Sequence, residues 1–204
     1  AIESLPRYYD GIWWVQDAAS QIPCNLLLTK IPKHFINTTF TSLKVLDLCC
    51  APGGKSAQLL DNDLDIVCIE KSELRSKRFN ENMERLNFKS KMFIANAENY
   101  DPGFKPDVIL IDAPCSATGT IRRNPDIFIK PAPKNLDDLI KIQDNILENA
   151  SKILNKNGII MYITCSLQKI EGERRIEKFL LEQSNFSIIP FYSNEYPMIE
   201  SCIS

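Results

Sequence analysis

The sequence lacks the features that mark an independent nucleic-acid-binding module, a secreted protein or a membrane protein. Its 24 basic and 26 acidic residues give a formal net charge of −2, so the chain has no global positive field for a polyanion. No apolar run approaches the roughly 20 residues that cross a membrane, and the first residues lack the three regions of a signal peptide. The sequence therefore predicts no membrane association, and any nucleic acid must be bound locally.

Histidine is almost absent, and the cysteines follow no structural pattern. The chain has one histidine, His34, and seven cysteines. An odd number of cysteines, at spacings that match neither a zinc site nor a disulfide framework, indicates reduced thiols in the cytoplasm. His34 has no metal-ligating partner at useful spacing, so we expect no metal site. Because cysteine is often buried, five of them are interpreted as core or neutral positions: Cys24, Cys49, Cys50, Cys68 and Cys202.

Glycine is also scarce, and two of the seven glycines are adjacent in "VLDLCCAPGGKSAQLL", residues 45–60. A phosphate-binding P-loop needs a glycine where Cys49 stands. The dinucleotide fingerprint also fails, because Gly53 and Gly54 are adjacent and no third glycine follows at the required distance. What remains is a strand, a short turn and a helix that begins near Lys55. This turn suits a ligand that approaches the backbone closely but carries no phosphate there.

Short apolar segments rich in branched residues alternate with helical patterns along the chain. Such alternation predicts an α/β fold, with a doubly wound, mostly parallel sheet and helices on both faces. A chain of 204 residues with 44% hydrophobic residues has enough apolar side chains for the core of one domain. The predicted strands are residues 43–48, 65–70, 91–95, 107–112, 159–164 and 186–190.

Two of the intervening segments have the periodicity of amphipathic helices. Residues 72–88 place near one face Leu74, Arg78, Met83 and Leu86; residues 136–154 place near another Leu139, Ile142, Ile146 and Ala150. Residues 1–42 are interpreted as a lead-in, with a helix at 15–28 and a loop at 29–42. The main domain is then expected to span residues 43–204.

Polar and nucleophilic side chains stand where three of the predicted strands end. Glu70 ends the second strand, about where nucleotide-binding folds place an acid for ribose hydroxyls. Asp112 and Cys115 follow the fourth strand, and Cys165 follows the fifth. Because the carboxyl ends of parallel strands meet at one edge of a sheet, both cysteines are expected to open onto one cleft. Two thiols and a carboxylate beside a nucleoside-type cofactor indicate covalent chemistry.

Five stretches carry a resemblance to a known family: "GIWWVQDAASQ", "LDLCCAPGGKS", "IEKSELRSKRFNENMERL", "DVILIDAPCSATGTIRRNPDI" and "YITCSLQKIEGE". In this order they resemble the catalytic domain of the Sun/Fmu/RsmB family of RNA (cytosine-5)-methyltransferases, which are related to the eukaryotic nucleolar Nop2/Sun proteins. The resemblance implies a Rossmann-like fold of the S-adenosylmethionine-dependent methyltransferase type. It also implies RNA as the partner, with 16S ribosomal RNA as the expected substrate, and a cytoplasmic monomer.

The family holds S-adenosylmethionine with the glycine turn, the acid of the second strand, a polar residue after the third strand and the aspartate before the Pro-Cys motif. On this chain the resemblance assigns cofactor binding to Cys49, Cys50, Ala51, Pro52, Gly53, Gly54, Lys55, Glu70, Arg75, Asn96 and Asp112.

The reaction of the family explains why two cysteines are needed. Carbon 5 of cytosine becomes nucleophilic only after a thiolate adds to carbon 6, and the adduct must later lose its carbon-5 proton so that the thiol can leave. The resemblance assigns the addition to Cys165 and help with release to Cys115. Asp112 is expected to hydrogen-bond the ring nitrogen that gains a proton. Arg122 and Arg123 are either a solvated pair or contacts to the RNA backbone.

This chain departs from the family pattern at several positions. Asn96 stands where an aspartate normally meets the adenine amino group, and Gly172 replaces an asparagine after the Thr-Cys-Ser motif. The chain also stops before the usual final Gly-Phe-Phe strand and lacks the amino-terminal helical RNA-binding domain, so we expect a fragment or a degenerate member. Two hypotheses follow: an active methyltransferase domain, or a truncated, inactive member that only binds cofactor or RNA. Intact Cys165, Cys115, Asp112 and Lys55 favour the first.

Overall fold

The computed structural model describes residues 2–129 and 135–192, and within them the chain forms one parallel sheet between two layers of helices. The strands are β1 (Lys44–Leu48), β2 (Asp65–Glu70), β3 (Lys91–Ile94), β4 (Val108–Asp112) and β5 (Ile159–Ile163). Their order is β3-β2-β1-β4-β5, and every neighbouring pair is parallel. This arrangement confirms the predicted doubly wound α/β fold.

Alternating side chains of the strands enter two separate cores, one on each face of the sheet. Val108 and Leu110 of β4 belong to one core, whereas Ile109 and Ile111 belong to the other. The first core is covered by α1 (Ala18–His34), α2 (Gly54–Leu60) and α3 (Glu73–Arg85), and the second by α4 (Leu136–Ile153) and α5 (Glu173–Glu182). Since both of its faces are buried, the central strand β4 is apolar from Val108 to Ile111.

The sixth predicted strand, residues 186–190, is wrong. This segment has no strand pairing, although Ile189 packs against the first core and the ring of Phe186 contacts that of Phe179 at 5.1 Å. A strand needs a hydrogen-bonded neighbour, and among the described residues β5 pairs only with β4. The branched residues of this segment reflect apolar packing rather than strand pairing.

Two predictions about helices are also corrected by the structure. The loop predicted for residues 29–42 is helical as far as His34, because Ile31 extends the buried stripe that begins with Cys24 and Leu27. On α3 the buried face consists of Ser76, Phe79 and Met83, and the side chain of Leu74 is 79% exposed. In α4, by contrast, Leu139, Ile146 and Ala150 are buried as predicted.

The order of the strands reverses between β1 and β4, and doubly wound sheets bind ligands beside such a switch point. The carboxyl ends of β1, β2, β4 and β5 therefore bring the predicted site residues to one edge of the sheet. Helix α1 shares the first core with this sheet, while the domain boundary at residue 43 remains a prediction. Among the described helices, none combines the length and hydropathy that a membrane crossing requires.

Candidate active site

The turn between β1 and α2 is held by hydrogen bonds from its backbone to the neighbouring strand. The N–H groups of Cys49 and Cys50 both donate to the carbonyl of Ile69, at 2.9 and 3.0 Å. Gly53 has φ +106°, and a Cβ there would lie 2.8 Å from Cε of Met83. Left-handed backbone and close packing thus both require glycine at this position. The turn keeps its backbone close to the space above the sheet.

Two side chains of α3 fix the carbonyls of the same turn. Arg75 donates to the carbonyl of Ala51, and Asn82 Nδ2 donates to that of Pro52 at 2.9 Å. Nη1 of Arg75 also lies 3.2 Å from Oε2 of Glu70. Arg75, which was predicted to bind the cofactor, therefore links the turn to the predicted ribose acid.

Glu70 and Asn96 line a cavity of about 410 Å³, called here the Glu70 cavity. The carboxylate of Glu70 is buried: Oε1 accepts a 2.9 Å hydrogen bond from Ser72 N, but Oε2 accepts none from any described residue. Oδ1 of Asn96 accepts a hydrogen bond from Glu98 N at 3.3 Å. Apolar walls complete the cavity, and they include Ile69, Ala97, Pro114, Ile142 and Ile146. The predicted cofactor residues of the second and third strands are thus brought together.

A second cavity of about 440 Å³ lies under the lead-in segment and is called here the lead-in cavity. Cys49, Asp112 and Cys165 line both cavities, so the two meet at these side chains. Lys55 Nζ donates to Oδ2 of Asp112 at 2.7 Å. This ion pair holds the carboxylate at the boundary between the two cavities.

Arg122 and Arg123 lie at the lead-in segment. Nη2 of Arg122 and Nε of Arg123 are each 3.5 Å from Oδ2 of Asp17, whose Oδ1 caps α1 by accepting from Ala19 N. Arg123 and Asp17 both line the lead-in cavity. The side chain of Arg122 is 85% exposed and that of Arg123 is 52% exposed, so both alternatives, a solvated pair or contacts to RNA, remain predictions.

The two predicted catalytic cysteines face each other across the loops that follow β4 and β5. Sγ of Cys115 lies 3.3 Å from Sγ of Cys165, although the residues are 50 positions apart. The loops contact each other closely: Gly119 N donates to the carbonyl of Cys165 at 2.8 Å, and a Cβ on Gly119 would lie 2.7 Å from that oxygen. A glycine is therefore needed where the loops meet.

The two thiols share their protons unequally. A hydrogen bond from Cys165 lowers the pKa of Cys115 to about 6; burial opposes this shift, and the Thr164 hydroxyl and the N–H of Ala117 support it. The same hydrogen bond raises the pKa of Cys165 above its ordinary value, and burial and the charge on Cys115 add to this effect. In the free protein the two sulfurs therefore share protons across a 3.3 Å gap, with the thiolate favoured on Cys115.

The remaining described cysteines lack this activation. Cys24, Cys50 and Cys68 are buried, as expected from the sequence. Burial raises the pKa of Cys24 and of Cys49 to about 12, so both stay protonated at neutral pH. Cys202 lies outside the described residues.

Asp47 is a site residue that the sequence interpretation missed. It lies in β1, is 1% exposed and lines the lead-in cavity. Oδ2 accepts a 2.6 Å hydrogen bond from the Ser56 hydroxyl, while Oδ1 accepts none from the described residues. Burial, opposed by the Ser56 hydrogen bond, raises the pKa of Asp47 to about 7. An acid inside an otherwise apolar strand was the available signal, because a buried carboxylate in a core strand needs a partner.

Glu171 is a second residue whose place the sequence did not reveal. It follows β5 by a few residues, is 0% exposed, and accepts hydrogen bonds from Ser116, next to Cys115. In the sequence it is one of two acids in the stretch "SLQKIEGER", where an exposed position would be the ordinary expectation. Only the fold shows that it lies between the two thiol loops.

Comparisons with known proteins agree with this geometry. Residues 39–201 match the family model for the 16S rRNA methyltransferase RsmB/F. The ribosomal RNA small subunit methyltransferase B of Vibrio vulnificus is 36% identical over 184 residues, which cover 88% of this chain and 41% of that protein. The chain therefore spans less than half the length of this curated relative.

Two solved structures from Pyrococcus horikoshii have the same fold. NSun6, solved with SFG, gives a TM-score of 0.76 at 26% identity, covering 89% of this chain and 45% of that one. A methyltransferase homolog protein gives 0.67 at 29% identity, covering 90% and 55%. The family match spans the sheet, the glycine turn and both thiol loops, and the chain accordingly belongs to the 16S rRNA methyltransferase RsmB/F family.

Proposed function

We propose that this chain transfers a methyl group to carbon 5 of a cytosine in RNA, with 16S ribosomal RNA as the substrate, through a covalent adduct of Cys165 at carbon 6. The observation that carries the proposal is the pair of thiols 3.3 Å apart, placed where the Glu70 cavity and the lead-in cavity meet. Two adjacent thiols beside a carboxylate match a reaction in which a nucleophile must first add and then leave.

The cofactor of the family is S-adenosylmethionine, which supplies an activated methyl group. The residues of this chain fit it. Oε2 of Glu70 is a buried acceptor without a hydrogen bond, and the two oxygens of a carboxylate match the two vicinal hydroxyls of a ribose. Oδ1 of Asn96 in the same cavity would accept from the adenine amino group. The turn from Cys49 to Lys55 would hold the amino-acid end close to the backbone.

Addition to the base begins at Cys165. The thiol gives its proton to the Cys115 thiolate 3.3 Å away and its sulfur bonds to carbon 6, so that the electron pair of the carbon 5–carbon 6 bond becomes available at carbon 5. Asp112 accepts a hydrogen bond from the ring nitrogen, which takes a proton from water on addition and returns it on release, and so stabilises charge where it develops. Lys55 holds that carboxylate in place.

Release reverses the first step after methylation. The carbon-5 proton is lost to water, the bond between carbon 6 and sulfur breaks, and the Cys115 thiol donates its proton to the departing sulfur of Cys165. Without Cys115, the charge and the hydrogen bond that raise the pKa of Cys165 are gone, so addition still occurs while the departing thiolate loses its proton donor. The adduct should then accumulate.

RNA is the proposed partner, and Arg122 and Arg123 are proposed to meet its backbone beside the lead-in cavity. A net charge of −2 gives little general attraction to a polyanion, so binding should be weak and steeply salt-dependent. We further propose that the chain acts as a monomer in the cytoplasm, where it would meet ribosomal RNA.

The second candidate is a chain that binds cofactor or RNA without turnover, which the departures from the family pattern at Asn96 and Gly172 favour. A 16S rRNA transcript carrying tritium at carbon 5 of its cytosines separates the two functions. We expect cofactor-dependent release of tritium to water, equal to the methyl groups incorporated. Cofactor binding by calorimetry with neither release nor incorporation, at RNA excess and low salt, would establish the binding function instead.

A further inference from the structure

Glu171 lies at the centre of the contact between the two thiol loops. The N–H of Ser116 donates to Oε1 at 2.9 Å, the hydroxyl of Ser116 donates to Oε2, and Nε2 of Gln143 donates to Oε1 at 3.1 Å. Burial alone would raise the pKa of Glu171, but hydrogen bonds from Ser116, Ser166 and Gln143 outweigh it and lower the pKa below its ordinary value. The carboxylate is therefore ionised, and these donors offset the cost of burying its charge.

Gln143 extends the same contact to the other side of Cys115. Its Nε2 also donates to the carbonyl of Pro114 at 2.9 Å. The residue before Cys115 is thus held by Gln143, and the residue after it is held by Glu171. Both side chains are 0% exposed, so neither hydrogen bond competes with water.

Glu171 is in turn fixed to β5 and connected to the second thiol. The hydroxyl of Tyr162 donates to the carbonyl of Glu171 at 2.8 Å. Ser116, the partner of the carboxylate, lies 3.0 Å from Ser166 between hydroxyl oxygens, and Ser166 follows Cys165. A continuous chain of hydrogen bonds therefore joins the segment of Cys115 to that of Cys165.

We propose that Glu171 is a positioning residue that holds the Cys115 loop against the Cys165 loop, so that the two sulfurs stay within proton-transfer distance. Glu171 exchanges no proton and forms no bond during the reaction; it acts through Cys115. Its catalytic consequence rests on the proposed function, because the distance between the sulfurs matters for release of the RNA adduct.

The main test is Glu171→Ala in the 204-residue chain, which removes the acceptor of Ser116 N–H and leaves Gln143 bound only to the carbonyl of Pro114. We expect turnover to fall about tenfold or more, since a misplacement of about 1 Å costs at least that much. We also expect more of the protein to be trapped as a covalent complex with RNA than in the unmodified chain, because Cys165 can still add. Cofactor affinity should change less than about twofold, because Glu171 does not line the Glu70 cavity.

The conservative and control variants separate positioning from general stability. Glu171→Gln keeps one acceptor oxygen for Ser116 N–H and Gln143, so it should restore most of the turnover. Asp144→Ala removes a carboxylate that binds Arg175 and Lys178 at 2.7 Å each between α4 and α5, and these hydrogen bonds reach neither thiol loop. At equal folded fraction, this control should trap no more RNA than the unmodified chain.

A loss of turnover in Glu171→Ala without any rise in the trapped fraction would overturn the proposal, because a role confined to stability lowers addition and release together. If Glu171→Ala does not fold, Ser116→Ala takes its place. It removes the hydroxyl that joins Glu171 to Ser166, and the same rise in trapped complex, smaller in size, is expected. An unchanged trapped fraction in that variant would equally contradict the proposal.

A second readout needs no RNA and keeps the inference separate from the proposed function. The alkylation rate of Cys115 by iodoacetamide reports its thiolate. The pH at which this rate is half-maximal should therefore rise from about 6 in Glu171→Ala, as the hydrogen bond from Cys165 loosens. A chain that methylates no RNA but shows this shift would sink the proposed function and support the positioning role. An unshifted midpoint in a folded variant would sink the positioning role alone.

Discussion

The turn after β1 and the pair of thiol loops form the two halves of the site, and they are held in different ways. The turn is local: residues 49–55 are contiguous, and the N–H groups of Cys49 and Cys50 bond to the end of β2. The thiol pair joins residues 50 positions apart through side chains such as Glu171 and Ser116. The first half should therefore depend on the sheet, while the second should depend on a few buried hydrogen bonds.

This difference predicts that variants on the cofactor side change affinity, and that variants on the thiol side change turnover. On the cofactor side, Glu70→Ala should have the largest effect on affinity. If Glu70 accepts both ribose hydroxyls as proposed, this change removes two charge-assisted hydrogen bonds and should weaken S-adenosylmethionine binding by about 1.5 to 3 kcal/mol, measured by calorimetry. The pH dependence of Cys115 alkylation should stay unchanged.

Glu73→Ala serves as the control, because Glu73 is an exposed acid at the start of α3, three residues after Glu70. Cofactor affinity in Glu70→Ala equal to that of the control would return Glu70 to a structural role at the end of β2.

The pH dependence of stability tests the turn half of the site separately, because Asp47 lies in β1 below the turn and not in a thiol loop. Its pKa is about 7 in the folded protein and about 3.8 in a free side chain, so the folded state binds more protons between these values. The stability it contributes is present at low pH and is lost as the pH rises through 7.

Asparagine does not titrate, so the melting temperature of Asp47→Asn should not follow the fall that Asp47 causes in the unmodified chain between pH 5 and pH 8. The variant should therefore gain on the order of 5 °C or more over the unmodified chain at pH 8 relative to pH 5. The measurement is a thermal denaturation series across this range, with Asp65→Asn at the exposed start of β2 as the control. Parallel curves for the chain and the Asp47→Asn variant would show that Asp47 is not the titrating group.

Asn96→Asp tests a smaller effect in the Glu70 cavity. If Oδ1 of Asn96 accepts from the adenine amino group, a charged acceptor should tighten cofactor binding, by about two- to tenfold. The same calorimetric titration measures the change. Weaker binding would show that Asn96 does not occupy the position of the adenine-contacting acid.

The sequence predicted much of the fold because the strands of a parallel sheet carry their own signal. Residues 65–70, buried from both faces, form β2 with the predicted bounds. Residues 186–190 are also rich in branched apolar residues but have no hydrogen-bonded neighbour. Composition alone does not show whether a neighbouring strand is present. The predicted position of Leu74 was wrong for a related reason. The buried face of α3 is determined by the core against which the helix packs, and Phe79 and Met83 are the residues that enter that core.

The candidate site divides along the same line. The glycine turn could be predicted because its residues are adjacent, and the two cysteines because each stands in a distinctive motif. The 3.3 Å distance between their sulfurs and the burial of Glu171 could not, since both arise from loops that meet only after β4 and β5 pair. Which of two thiols is ionised is likewise a property of the pair.

Covalent trapping by the two cysteine variants tests the central claim most directly. Cys115→Ala and Cys165→Ala are incubated with excess 16S rRNA and S-adenosylmethionine at low salt, and complexes that survive denaturing electrophoresis are counted. The account predicts a stable protein–RNA complex with Cys115→Ala, and neither complex nor methyl transfer with Cys165→Ala. A complex formed by Cys165→Ala instead, or by neither variant while the unmodified chain methylates RNA, would contradict it.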